Sequence, residues 1–140
     1  MNEKEFAQLK VQADANNPDA MYSYAMYIRG TDAHEADKFI LLAAHLGQPQ
    51  AAELYADKCL GKGDYENATH FYRTGARGGN ADCAVKLAVM RLSDDDHTAT
   101  HELEELAESG VVSACSALAA YYKAKGNRKQ YNYWHSLINK

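Results

Sequence analysis

The sequence predicts an all-α fold, a right-handed α-solenoid of antiparallel helix pairs, and three observations support this prediction. Gly47, Gly79 and Gly110 recur at intervals of 32 and 31 residues, and each separates two stretches with the apolar spacing of a helix. Small residues recur at fixed distances from these glycines. The sequence has no hairpin turn between two alternating apolar runs, so no strand pattern competes with the helices.

The register of the small residues defines the repeat. Four residues after the glycines come Ala51, Cys83 and Ala114, and nine residues after them come Ala56, Ala88 and Ala119. Counting back from Gly47 puts Asn16 in the glycine position of one further copy, with Ala20 and Ala25 in matching places. The sequence therefore predicts four repeats within a single domain that spans 1–140. Their approximate bounds are 16–46, 47–78, 79–109 and 110–140, and a helix at 2–15 precedes them.

Helix-ending and helix-starting residues divide each repeat into two helices. Glycine and asparagine tolerate the backbone that closes a helix, whereas Asp, Asn and Pro favour its first turn. In chain order, such residues occur at Asn17-Pro18-Asp19, Gly30-Thr31-Asp32, Gly47-Gln48-Pro49, Gly61-Lys62-Gly63-Asp64, Gly78-Gly79-Asn80, Ser93-Asp94 and Lys125-Gly126-Asn127. The nine predicted helices span 2–15, 18–29, 33–46, 49–60, 64–77, 81–92, 95–109, 112–125 and 128–139.

The apolar positions predict how these helices pack. Two short helices cannot bury their apolar faces alone, so each pair must stack on its neighbours. Alanines at fixed positions allow close approach, and larger residues fill the space between repeats. Seven residues before the glycines come Ile40, Tyr72 and Leu103, and Trp134 occupies the same position in the last repeat.

Composition and charge narrow the classes of protein that are compatible with the sequence. Apolar residues make up 46% and charged residues 24%, which is typical of a folded chain. The formal charge of −4 makes nucleic acid an unlikely main partner. The sequence has no apolar stretch of signal-peptide or membrane-spanning length. Cys59, Cys83 and Cys115 lie in separate apolar segments, so we expect buried free thiols and a cytoplasmic location.

The sequence offers little support for chemistry. His97 and His101 have the i, i+4 spacing that can share a metal ion, and 94–96 are three aspartates that could cap the same helix. The stretch lacks the glutamate of the metalloprotease motif and an evident third ligand. We therefore expect two exposed histidines on a capped helix, with no metal, no cofactor and no catalytic residues. The chain is expected not to be an enzyme.

The repeats resemble those of the Sel-one-like repeat family, which is related to the tetratricopeptide repeats. The resemblance rests on Phe71-Tyr72, Gly75-Ala76 and Gly79-Asn80 in one repeat and on Ala43-Ala44 and Gly47 in another, and it covers about residues 13–140. These repeats are shorter than is usual in the family, and alanine replaces the small glycine of its first helix. The resemblance implies a scaffold or adaptor that binds other proteins, with no catalytic residue to transfer.

In such a solenoid the first helix of each pair lines the concave side, and its residues outside the packing positions face a partner. We expect an acidic and apolar groove there, which binds a protein segment carrying basic and apolar residues. We call the candidate partner-binding residues the first-helix residues; they are Asp19, Tyr22, Met26, Glu53, Asp57, Asp82, Val85, Val89 and Leu92. The alternative is that a short solenoid curves so tightly that these side chains pack on one another.

Two further hypotheses concern the partner. A rigid acidic surface also suits an inhibitor, such as an immunity protein that neutralises a basic toxin domain. The chain end is basic, because no acidic residue follows Glu108, and this end could support self-association. Aromatic residues interleave with its cations, as in single-strand nucleic-acid platforms, but Tyr122 and Trp134 occupy packing positions. The cations are Lys123, Lys125, Arg128, Lys129 and Lys140.

Overall fold

Side-chain caps start the helices where the sequence predicts them. Asn17 accepts hydrogen bonds from the backbone N–H groups of Asp19 and Ala20 at 3.1 and 3.2 Å. Asp32 accepts one from the N–H of Glu35 at 3.0 Å. Such caps satisfy N–H groups that have no partner within their own helix. The computed structural model describes residues 2–92 and 97–139, and those ranges contain nine α-helices.

The regular structure of the described residues consists of helices, which confirms the all-α prediction. The helices are α1 (Glu3–Asp14), α2 (Pro18–Ile28), α3 (Ala33–His45), α4 (Pro49–Gly61), α5 (Tyr65–Arg77), α6 (Ala81–Met90), α7 (His97–Glu108), α8 (Val112–Ala124) and α9 (Arg128–Ile138). The predicted helix ends agree with these bounds to within two residues. The predicted joint at Ser93-Asp94 and the aspartate cap at 94–96 lie outside the described residues.

The predicted glycine position has the same backbone geometry in all four repeats. Gly47, Gly79 and Gly110 have φ values of +90°, +96° and +101°, and Asn16 has a φ of +65°. The residue after each donates its N–H to the carbonyl five residues back, which is the bond that closes a Schellman motif. These four bonds are Asn17 to Gln12 at 3.2 Å, Gln48 to Ala43 at 2.9 Å, Asn80 to Gly75 at 2.9 Å and Val111 to Leu106 at 3.0 Å. The four positions of the predicted register, including Asn16, therefore share one kind of helix ending.

The chain divides after Asn80 into two compact units, and helices pack in sequence order within each. In the first unit α1 packs on α2, α2 on α3, α3 on α4 and α4 on α5. In the second unit α6 packs on α7, α7 on α8 and α8 on α9, and α6 also contacts α8. The division lies within two residues of the predicted repeat boundary between 78 and 79. That the chain forms a single domain stays a prediction.

Small and aromatic residues form the core of the first unit. Ala25, Ala51 and Ala56 are fully buried at their predicted positions. The ring of Tyr24 stacks on that of Phe6 with centroids 5.4 Å apart and meets Phe39 edge-on at 5.2 Å. These contacts join α1, α2 and α3, because the alanines let the backbones approach while the rings fill the remaining space.

The core of the second unit follows the same register. Leu103 on α7, Leu118 on α8 and Trp134 on α9 belong to one buried cluster, as the repeat pattern predicts. Cys59, Cys83 and Cys115 are buried thiols in their respective units, in agreement with the prediction. Within the described residues, every helix falls short of the length and apolarity that crossing a bilayer requires.

Candidate functional site

Apolar side chains on the first helices reach solvent in both units. Met26 on α2 is 38% exposed and Val89 on α6 is 42% exposed. Tyr22 is half-buried on α2. Leu92, just beyond α6, is also half-buried and packs against the core of the second unit. Met26 and Val89 are therefore the apolar first-helix residues most accessible to a partner.

The structure corrects the placement of one first-helix residue, Val85. Its side chain is only 4% exposed and belongs to the buried cluster of the second unit. Helix α6 contacts both α7 and α8. A larger part of its surface is therefore buried than if it packed only on its partner α7. Val85 is a core residue and does not present its side chain to a partner.

Two predicted carboxylates of the first unit accept hydrogen bonds from the start of a later helix. The amide Nε2 of Gln48 donates to Oδ1 of Asp19 at 3.4 Å, and the amide Nδ2 of Asn80 donates to Oε1 of Glu53 at 3.1 Å. Gln48 and Asn80 each follow a glycine position by one residue, so the two donors are equivalent in the repeat. Asp19 and Glu53 are thus held in place by the repeat that follows their own.

A similar bond occurs in the second unit. Ser113 Oγ on α8 donates to Asp82 Oδ1 on α6 at 2.6 Å. Both residues lie three positions after a glycine position, in consecutive repeats. Equivalent positions of α6 and α8 therefore lie next to each other, which agrees with the contact between these helices. Asp82 remains exposed beside this bond, so its carboxylate is fixed in direction and still accessible.

The fourth predicted carboxylate, Asp57, is fixed from within its own repeat. The hydroxyl of Tyr72 on α5 donates to Oδ1 of Asp57 on α4 at 2.5 Å. Tyr72 is fully buried, whereas Asp57 is exposed, so the pair connects the core of the first unit to its surface. A carboxylate held by such a bond loses less side-chain entropy when it binds a cation.

Sequence reasoning missed the positioning role of Gln48 and Asn80. Gln48 is only 6% exposed, and besides bonding Asp19 it caps α4 by accepting the N–H of Ala51 at 2.7 Å. The available signal was the recurrence of an amide directly after the glycine position, as Asn17, Gln48 and Asn80. Val111 breaks that pattern in the last repeat and makes no side-chain cap.

His97 and His101 are both exposed on α7, as expected. Nε2 of His101 lies 2.9 Å from Oε1 of Glu105, one turn further along the same helix. Among residues 2–92 and 97–139, no three His, Cys, Asp or Glu side chains are grouped in a way that could hold a metal ion.

Two cations of the basic chain end lie close to aromatic rings. Nζ of Lys123 lies 5.9 Å from the ring centre of Tyr131, and Nζ of Lys125 lies 5.7 Å from that of Tyr121. Trp134 is buried and Tyr122 is half-buried, in agreement with their packing positions. Burial raises the pKa of the Tyr122 hydroxyl. Lys140 lies outside the described residues.

Comparison with known proteins adds no relative from which a role can be transferred. No protein-family profile matches the sequence, and no curated protein is significantly similar to it.

Proposed function

We propose that this chain is a non-catalytic protein-binding module whose first helices carry the binding surface. The observation that supports the proposal best is a pair of residues that occurs in both units. Asp19 and Met26 lie seven residues apart on α2, and Asp82 and Val89 have the same spacing on α6. Residues seven apart lie on one helix face, so each unit presents a fixed carboxylate and an exposed apolar side chain together.

This pairing defines the chemistry of the partner. Seven residues of helix span roughly 10 Å, which is the distance a partner must bridge between a cation and an apolar side chain. A segment carrying Lys or Arg together with a Leu, Met or aromatic residue fits that description. The apolar contact supplies affinity, whereas the carboxylate selects for a basic partner and orients it.

We also propose how the helices are arranged and to which family the repeats belong. We infer that the helix pairs are antiparallel and stack as a right-handed solenoid of Sel-one-like repeats in a cytoplasmic protein. The repeated glycine geometry and the Ser113–Asp82 bond between equivalent positions support stacking of like helices. The three buried cysteine thiols agree with a reducing compartment.

The test is affinity capture from the native cell, with two variants beside the unchanged chain as bait. Met26→Lys with Val89→Lys places a charge at the two apolar first-helix residues that are most exposed. Tyr65→Lys with Tyr133→Lys is the matched control, because these residues are 64% and 54% exposed and lie on α5 and α9, outside the first helices.

The proposal predicts one basic partner that is retained by the wild type and the control but is reduced about tenfold or more with the first variant. Circular dichroism must show that both variants keep their helices. If the first variant retains the partner as well as the control does, the first helices do not form the binding surface.

The inhibitor hypothesis remains the second candidate, and the fixed carboxylates favour it. Asp19, Asp57 and Asp82 are exposed and each is held by a hydrogen bond, as expected of a surface that covers a basic site rigidly. The two candidates differ in what binding does to the partner. Loss of the captured protein's catalytic activity on addition of this chain supports inhibition, and unchanged activity supports an adaptor.

A further inference from the structure

A cleft in the first unit has a charge opposite to that of the whole chain. It has a volume of about 760 Å³. Its lining residues lie on α3 and α4, except for one residue just after α2 and one just after α4. Four cations line it, namely Arg29, Lys38, Lys58 and Lys62. The sequence contains 15 Lys and Arg residues and has a net charge of −4, so this grouping reverses the prevailing sign locally.

One carboxylate lies among these cations. Asp37 Oδ2 is 3.4 Å from Nζ of Lys58, and both side chains are about half exposed. Four cations against one carboxylate leave three excess positive charges in the lining, with His34 counted as neutral. Like charges grouped in one cleft repel one another, and an anion that enters relieves this repulsion.

The remaining lining is apolar. Ile40 is 7% exposed, and Leu41, Leu54 and Tyr55 are half-buried. All four cations are exposed, so the charges lie nearer the solvent than the apolar residues do. An apolar centre with a charged rim is the usual anatomy of a protein–protein contact.

We propose that this cleft binds an acidic peptide segment that inserts one apolar or aromatic side chain between α3 and α4. The proposal goes beyond the first-helix surface, because it concerns other residues and the opposite charge preference. The carboxylates of the segment would meet Lys38, Lys62 and Arg29, and its apolar side chain would contact Leu54 and Tyr55.

The size of the cleft and the exposure of its cations favour a peptide over a small anion as the ligand. Sites for small ligands usually converge a few buried polar groups on the ligand, whereas the cations here are exposed and borne on flexible stems. A volume of about 760 Å³ also exceeds what one inorganic anion fills. A segment with several carboxylates and one apolar anchor can engage the rim and the centre together.

The test measures binding by fluorescence anisotropy with a labelled peptide that carries acidic residues on both sides of one phenylalanine. The charge-reversed variant is Lys38→Glu with Lys62→Glu, which leaves the Lys58–Asp37 pair in place. The matched control is Lys10→Glu with Arg73→Glu, two exposed cations of the same unit that do not line the cleft. Circular dichroism confirms that both variants are folded.

The proposal predicts that the wild type and the control bind the peptide equally, and that the charge-reversed variant binds at least about tenfold more weakly. Replacing the phenylalanine of the peptide with serine should weaken binding to a similar degree, and raising the salt concentration should weaken it further.

Three outcomes would overturn the proposal. Equal weakening in both variants would show a general effect of net charge. Undiminished binding of the serine peptide would show that the phenylalanine side chain does not contribute to binding. Full displacement of the peptide by an equimolar amount of inorganic phosphate would identify a small-anion site instead.

Discussion

At the scale of single residues, Asn16 shows how the repeat determines backbone geometry. It is the only non-glycine residue of the described chain with a positive φ, and it stands where the other repeats have glycine. Asparagine enters this region more easily than other residues with a β-carbon, because its short polar side chain bonds the nearby backbone. The first repeat therefore keeps the same helix ending without a glycine.

This geometry predicts the effect of two substitutions at position 16. Asn16→Ala should lower the free energy of unfolding by about 1 kcal/mol, since alanine is disfavoured at positive φ. Asn16→Gly is the matched control and should leave stability within about 0.5 kcal/mol of the wild type. Urea denaturation measures both values, and an alanine variant as stable as the glycine variant would contradict the account.

At the scale of helices, the end of α5 closely approaches the start of α4. Gly78 caps the end of α5, and Pro49 is the first residue of α4. A β-carbon at position 78 would lie 2.5 Å from Cγ of Pro49, which is far inside van der Waals contact. Gly78 has a φ of −81°, so steric space, and not backbone conformation, requires glycine there.

A double-mutant cycle tests this contact. Gly78→Ala should destabilise the protein by roughly 1 to 3 kcal/mol, the usual effect of forcing an extra carbon into a packed site. In a Pro49→Ala background the same change should have a smaller effect, because the clashing ring atom is gone. An equal effect in both backgrounds would show that Pro49 is not the cause.

Helix ends could be predicted from the sequence because local chemistry decides them. A residue in the left-handed region, such as Gly47 or Gly79, ends one helix, and the next polar side chain starts another. Exposure depends instead on which helices lie alongside. Val85 was assigned to the surface from the spacing of α6 alone, whereas contact of α6 with both α7 and α8 buries it.

The four cations that line the cleft of the first unit could not be grouped from the sequence for the same reason. Arg29, Lys38, Lys58 and Lys62 are spread over more than thirty residues of sequence and fall in three helical segments. No spacing rule joins them, because the packing of α2 on α3 and of α3 on α4 brings them to one cleft. Asp19 and Asp82 were easier to find, since both lie three residues after a glycine position.

At the scale of the whole molecule, one buried and two half-buried tyrosines lower the stability of the protein at alkaline pH. Burial raises the pKa of Tyr24 and Tyr55 in the first unit and of Tyr122 in the second above the usual value near 10. In the unfolded chain these hydroxyls lose their protons near pH 10, while the folded protein still holds them. The unfolded state then binds fewer protons, so stability falls as pH rises above about 10.

Tyr24→Phe with Tyr55→Phe should make this decline shallower, since two of the three hydroxyls whose raised pKa causes it are removed. Chemical denaturation at pH 8 and at pH 11 measures the change in the free energy of unfolding for the wild type and the variant. An equal decline in both proteins would contradict a role for these two hydroxyls.

The central claim is that the first helices bind a protein partner, and site-specific photocrosslinking in the native cell tests it most directly. A photoreactive phenylalanine analogue replaces Met26 or Val89 in turn, with Tyr65 and Tyr133, which are more exposed, as comparison positions. The account predicts one crosslinked protein shared by positions 26 and 89 and absent at 65 and 133. Crosslinks to that protein at 65 and 133, with none at 26 and 89, would contradict it.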